Sequence, residues 1–367
     1  MQSLFSGIYK DKTVLVTGHT GFKGSWLCFW LKQMGAKVVG YSLEAPTNPN
    51  HFELLNLDIT SIKGNIKDLE HLNTVFQTYK PDIVFHLAAQ ALVKYSYENP
   101  IETYETNVMG TLKVFEACKN ANTKAIVNIT SDKAYENKEW IWGYKEIDPM
   151  GGYDPYSSSK GCADLLATSY RNSYFNINEY KKTHNTLLAT CRAGNVIGGG
   201  DWAKDRLITD IMISVSQGKK VSIRNPKATR PWQHVLEPLS GYLQIGQKLL
   251  EEKVEFAEAW NFGPSDEGSI AVEEVVQNVK KHWDKIDYEI NQDPNQLHEA
   301  NLLKLDCTKA NTILKWKDVW DSETTFEKTV KWYKAYYENN KEILTQNDLE
   351  SYIADAKIKN IEWAAIK

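Results

Sequence analysis

The chain lacks the segments that would send it to a membrane or a nucleic acid. None of its 367 residues falls in an apolar run near the ~18 that span a bilayer, and its first residues, M-Q-S-L-F-S-G-I-Y-K, show no long apolar signal stretch. It has no block of basic residues interleaved with aromatics, and its net charge of −4 is spread along the chain. A nucleic-acid partner is therefore not expected. The five cysteines (Cys28, Cys118, Cys162, Cys191, Cys307) are odd in number and lack C-x-x-C spacing, which suits reduced thiols in a cytoplasm. The eight histidines form no H-x-H or H-E-x-x-H, so no metal is expected. No repeat or low-complexity linker divides the chain. With 42% apolar residues it can build a large core, as one α/β unit with an added lobe.

What is present begins with a strand, a glycine turn and a helix. Lys12 to Thr17 is β-rich, Gly18-His19-Thr20-Gly21-Phe22-Lys23-Gly24 follows, and Trp26, Leu27, Trp30, Leu31 and Met34 continue at helical spacing. Gly18 permits the tight turn, Gly21 removes a side chain where a pyrophosphate touches backbone, and Gly24 allows close helix packing. The helix N-terminus supplies N–H groups for phosphates. This context predicts dinucleotide binding, with Phe22 and Lys23 inside the turn. The second strand, Lys37 to Ser42, runs into Leu43-Glu44. The lack of Arg or Lys there favours NAD over NADP.

Gly64-Asn65-Ile66 ends a third strand and is placed to face an adenine, or is a plain turn. Asp82 to Gln90 reads as a fourth, buried strand whose Ala88, Ala89 and Gln90 suit a flat cofactor. Residues 101–120 read as a helix carrying Asn107. Residues 125–131 read as a strand that delivers Ser131, Asp132 and Lys133 to the carboxyl end of the sheet. Asp154-Pro155 opens a helix that sets Tyr156 and Lys160 one turn apart on one face. A free phenol titrates near ~10, so Tyr156 needs a positive neighbour to act as a base, and Lys160 is the expected one. Y-x-x-x-K alone is common by chance.

Further on come a strand from 186 to 192, a loop from Ala193 to Trp202, and helices near 206–217, 236–250, 270–283, 308–314 and 322–338. Arg224 and Arg230 offer planar forks that suit a diphosphate. The expected fold is a Rossmann-like doubly wound parallel sheet over residues 1–190, with returning segments at about 231–264. A smaller substrate-binding lobe and a C-terminal helical extension occupy 191–367.

With the glycine turn, Asn107, Ser131, Tyr156 and Lys160 in this order, the chain resembles the extended short-chain dehydrogenase/reductase family, in which these four polar residues form a catalytic tetrad. Residues 16–27, T-S-D-K-A-Y-E-N (130–137), G-G-G-D-W-A-x-D-R-L (198–207), R-P-W-Q-H-V-L-E-P-L-x-G-Y-L (230–243) and H-E-A (298–300) are similar to the members that dehydrate CDP-glucose. The resemblance implies an NAD-dependent, redox-neutral loss of water from CDP-glucose, feeding deoxysugars of bacterial surface polysaccharides, in a cytoplasmic homodimer or homotetramer. It implies Tyr156, Lys160 and Ser131 at carbon 4 and Asp132 and Lys133 as an acid and base whose assignment stays open. It also implies Asn195, Arg206, Arg230 and His298 around the nucleotide. Relatives acting on dTDP-glucose carry Glu where this chain has Lys133. The rival readings are a nucleotide-sugar 4-epimerase and a silent dinucleotide-binding scaffold.

Overall fold

The computed structural model describes residues 1–223, 226, 228–264, 269–291 and 302–365. Twelve strands occur in chain order: β1 (Thr13–Thr17), β2 (Lys37–Ser42), β3 (Thr60–Lys63), β4 (Ile83–His86), β5 (Ala125–Ile129), β6 (Leu187–Ala193), β7 (Asn195–Ile197), β8 (Val221–Ile223), β9 (Thr229–His234), β10 (Ala259–Phe262), β11 (Ser269–Ala271) and β12 (Tyr288–Ile290). The α-helices are α1 (Phe22–Gln33), α2 (His51–Leu55), α3 (Leu69–Tyr79), α4 (Val93–Glu98), α5 (Pro100–Tyr104), α6 (Thr111–Asn120), α7 (Pro155–Ser173), α8 (Leu207–Ser216), α9 (Leu236–Leu250), α10 (Val272–His282), α11 (Ser322–Glu338) and α12 (Thr345–Ile358).

Seven strands form one parallel sheet in the order β10-β6-β5-β4-β1-β2-β3. The order reverses at β1, which lies between β4 and β2, so a crevice opens at their carboxyl ends. Alternation within the strands fills two cores. Val14, Val16, Phe85 and Val127 face α1 and α9, while Leu15, Val84 and Ile126 face the layer of α3, α6 and α7. The expected doubly wound sheet is therefore present.

The first of these cores reaches beyond the sheet's own helices. Leu314, Trp316, Leu349, Tyr352, Ile353 and Trp363 belong to it, so α12 packs over the α1 side of the sheet. Buried Glu237 of α9 ties these parts together, accepting hydrogen bonds from the Val319 and Trp320 amides and from the Tyr352 hydroxyl. A smaller core joins α8, α10 and α11 through Met212, Val276, Phe326 and Trp332.

One stretch expected to be a loop is a strand, and another strand lies where the sequence assigned no element. Asn195–Ile197 pairs in parallel with Thr229–His234, which also pairs with Ser269–Ala271. Asn-Val-Ile is too short to show a period of two, and Pro231 within the second stretch reads as a breaker. Pro231 is tolerated in this small three-stranded sheet. Among the described residues no helix is long and apolar enough to cross a membrane.

Candidate active site

The glycine turn closes on backbone. Gly18 has φ +76°, and a Cβ there would lie 2.8 Å from the Ala88 amide nitrogen. On Gly24 it would lie 2.1 Å from the Gly18 carbonyl oxygen. Both positions must be bare for α1 to start directly over the end of β1. Gly21 caps α1 without any side-chain hydrogen bond, so the first amides of the helix, at Phe22, Lys23 and Gly24, keep their capacity for an anion. This cradle fits a dinucleotide diphosphate. The Lys23 ammonium is pushed down to about 8 by burial and by Arg206, against the pull of Asp132 and Asp201.

A buried polar chain ties this turn to the tyrosine helix. Thr111 Oγ1 donates to the Asn107 carbonyl, so it accepts from His86 Nε2 at 3.0 Å. His86 Nδ1 is then the acceptor for Thr17 Oγ1 at 2.7 Å, and that oxygen receives the Leu87 and Ala88 amides. The network thus assigns His86 as neutral, and burial together with Lys160 pushes it down to about 3. Asn107 lies in a π-turn (Glu105–Gly110) between α5 and α6, where the expected single helix is locally widened. Its amide accepts from the Gln90 N–H and donates to the Gln90 carbonyl and to Ser159 Oγ, which bonds the Tyr156 carbonyl. The backbone of Gln90 and the start of α7 are held by one side chain.

Asn65 closes a turn on the Lys67 amide, its own carbonyl taken by the Tyr41 hydroxyl, and Ile66 is buried where a Cβ on Gly110 would strike it. Ala88, Ala89 and Gln90 are half-buried at the end of β4.

The structure brings Ser131, Asp132, Lys133, Tyr156 and Lys160 together. Ser131 follows β5, caps a 3-10 turn through the Lys133 amide, and donates to Asp132 Oδ1 at 3.0 Å. Asp132 is 4% exposed, and burial raises its carboxyl, opposed by Lys133, Ser131 and Lys23. Asp154 caps α7 by accepting from the Ser157 amide, as the sequence predicts, and this presents Tyr156 toward Ser131. Burial pushes the phenol up to about 12, with the Ser131 hydrogen bond and Arg206 acting the other way. Lys160 is not among these strongest influences. Its ammonium donates to the Ile129 carbonyl at 3.1 Å, and burial and Lys23 push it down to about 8. Burial thus outweighs the expected lowering of the phenol by a positive neighbour.

Gly194 follows β6, and a Cβ there would lie 2.9 Å from Asp132 Oδ2, so Asn195 leaves the sheet beside the carboxylate. Arg206 pairs with Asp201 and reaches the field of Tyr156. The Arg230 backbone pairs with Ile270. Arg224 and His298 lie outside the described residues.

Residue-type reasoning passed over Thr17, His86, Thr111, Ser159, Asp201 and the buried pair Asp164–Arg192. That pair is bidentate at 2.7 Å for both contacts, with Thr130 also donating to Asp164. Arg192 reaches on to the Tyr135 hydroxyl and the Glu146 carbonyl, fixing the segment after the 3-10 turn. The signal was available: a guanidinium inside the apolar strand L-L-A-T-C-R-A requires a buried carboxylate.

Comparison with known proteins agrees with this geometry. The profile of the family described as GDP-mannose 4,6 dehydratase matches residues 15–331. A CDP-glucose 4,6-dehydratase of Salmonella typhimurium is 55% identical over 331 residues, covering 89% of this chain and 92% of that protein. Among solved structures, an epimerase from Methanothermobacter thermautotrophicus superposes with a TM-score of 0.76 at 24% identity, over 92% of this chain and 95% of that one. A dTDP-glucose 4,6-dehydratase from Bacillus anthracis, in complex with NAD, gives a TM-score of 0.72 at 23% identity, over 89% and 98%.

Proposed function

We infer the activity from the premise that this chain belongs to the family described as GDP-mannose 4,6 dehydratase. It acts as a CDP-glucose 4,6-dehydratase, converting CDP-D-glucose into CDP-4-dehydro-6-deoxy-D-glucose and water. The observation that carries the reading is the buried Asp132 with half-buried Lys133 next to it, beside Ser131, in a chain so similar to the Salmonella typhimurium CDP-glucose 4,6-dehydratase. A 4-epimerase has no use for an acid and a base at this place.

NAD supplies the hydride acceptor for carbon 4 and the hydride for carbon 6. Gly18, Gly21, Phe22, Lys23 and Gly24 hold its diphosphate, with Asn65, Ile66, Ala88, Ala89, Gln90 and Asn107 lining its path and Lys160 at its ribose. Tyr156 Oη, as the phenolate that the positive charges of Lys160 and of an oxidised nicotinamide favour, accepts the proton of the carbon-4 hydroxyl, and Ser131 hydrogen-bonds the same oxygen as it becomes a carbonyl. The carbonyl acidifies carbon 5, from which Lys133 Nζ removes the proton and to which a solvent-exchanged proton later returns. Asp132 protonates the departing hydroxyl on carbon 6. The raised carboxyl of Asp132 favours it as the acid over the opposite assignment. Asn195, Arg206, Arg224, Arg230 and His298 bind the nucleotide sugar.

Residues 1–190 with the returning 231–264 serve the cofactor, and the remainder serves the substrate. The enzyme works in the cytoplasm, without metal, nucleic-acid or membrane partner, and its keto sugar enters bacterial surface-polysaccharide deoxysugars. Exposed Ile101, Met109 and Leu165, on the helical layer that carries Asn107 and Tyr156, support a homodimer or homotetramer.

The test incubates the protein and NAD with CDP-, dTDP-, UDP- and GDP-glucose in deuterated water. CDP-glucose should give a 4-keto product with solvent deuterium at carbon 5, and Tyr156→Phe should lose roughly 10²–10⁴ in rate. An epimerised sugar without deuterium, or a Tyr156→Phe variant as fast as the parent, sinks the reading.

A further inference from the structure

The Gly198-Gly199-Gly200-Asp201-Trp202 stretch and α12 are far apart in sequence and meet at His51. This ring is buried, with Nδ1 2.8 Å from Ser25 Oγ in α1 and Nε2 2.8 Å from Thr345 Oγ1 at the start of α12. Ser25 Oγ donates to the Phe22 carbonyl and so accepts from His51 Nδ1–H. Thr345 Oγ1 receives the Trp332 indole N–H and gives its own proton to Nε2. All protons are placed with a neutral ring, in keeping with the burial that pushes His51 down to about 3.

The glycines next to it are bare for packing reasons. A Cβ on Gly200, whose φ is +89°, would lie 2.6 Å from the His51 ring, and one on Gly199 would lie 2.0 Å from the Trp332 ring. The Trp26 indole donates to the Gly199 carbonyl at 2.9 Å. One residue on, the Asp201 amide donates to the Tyr333 hydroxyl, and the Asp201 carboxylate holds Arg206. The His51 ring therefore wedges between the first turn of α1, the backbone that carries Arg206, and α12.

We propose that His51 is a positioning residue for nucleotide-sugar binding: by joining Thr345 to Ser25 it fixes the Gly199–Asp201 backbone and so where Arg206 presents its guanidinium. The segment from Thr345 onward is thereby part of the site's architecture. The sugar-nucleotide half of this inference rests on the dehydratase reading, whereas its cofactor half rests on Ser25 beneath the glycine turn.

Five variants of the full chain test it. His51→Asn keeps an N–H where Nδ1 stood and loses the partner of Thr345, while Thr345→Val removes the same link from the other end. Each should raise the KM for CDP-glucose about tenfold with kcat within about twofold, and the double variant should be no worse than either. Thr345→Ser, which restores the hydroxyl, should match the parent. His51→Leu, which also loses Ser25, should in addition weaken NAD binding about fivefold in a tryptophan-fluorescence titration, and His51→Asn should not. Folded variants with unchanged KM, whatever their melting temperature, or KM effects that multiply in the double variant, overturn the proposal. A parent protein that turns over no nucleotide sugar removes the dehydratase reading instead. In that case the titration decides, a weakened NAD complex in His51→Leu supporting the link and an unchanged one overturning it.

Discussion

Lys160 is a cation held where burial opposes one. A lysine brought from 10.5 to about 8 costs the folded state about 3 kcal/mol while it stays charged. Between those two values the unfolded chain binds the proton and the folded one does not, so stability from this group rises with pH from about 8 to about 10.5 and is at its lowest below 8. Lys160→Met should remove that slope. It should also stabilise the protein at pH 7 by about 2 kcal/mol, after about 1 kcal/mol for the Ile129 carbonyl left without its donor. Thermal melts across pH 7 to 11 check both, and turnover should fall at least about 10²-fold. At this scale the placement of Ser131, Asp132 and Tyr156 was legible because strand ends and a helix cap fix where side chains emerge. The upward push on the Tyr156 phenol was not, since it comes from burial, which spacing along the chain does not report.

Elements are joined at the site by the pair between α7 and β6. Arg192→Met leaves Asp164 charged, buried and without its fork, and should cost about 3–5 kcal/mol in urea denaturation. Adding Asp164→Leu should recover more than half of that. Asn107→Ala orphans the Gln90 backbone groups and should cost about 1–3 kcal/mol, with lower turnover because Ser159 and the start of α7 lose their tie. Helices such as 236–250 and strands such as 37–42 could be read from periodicity alone. The π-turn could not, because one extra residue in a helix leaves the apolar spacing of residues 101–120 nearly intact. The strand at 195–197 was hidden because it has too few residues to show any period, and the one at 229–234 because Pro231 reads as a breaker.

At the level of the whole molecule, the sheet and the chain beyond residue 310 share one core. Ten of the twelve tryptophans are buried, and Trp363 stacks on Phe5 with centroids 5.1 Å apart. Trp363→Ala should therefore cost about 3–5 kcal/mol, and calorimetry should show one transition for the full chain, with no separate melting of α12. Local β-α order made the dinucleotide-binding half readable. The later half was less so, because Glu237 meets Val319, Trp320 and Tyr352 across more than eighty residues that carry no common motif. This closure has a consequence during synthesis. The outer side of α1, at Trp30, stays uncovered until Tyr352 and Trp363 have left the ribosome, so a nascent chain paused before them exposes apolar surface and depends on chaperones to stay soluble.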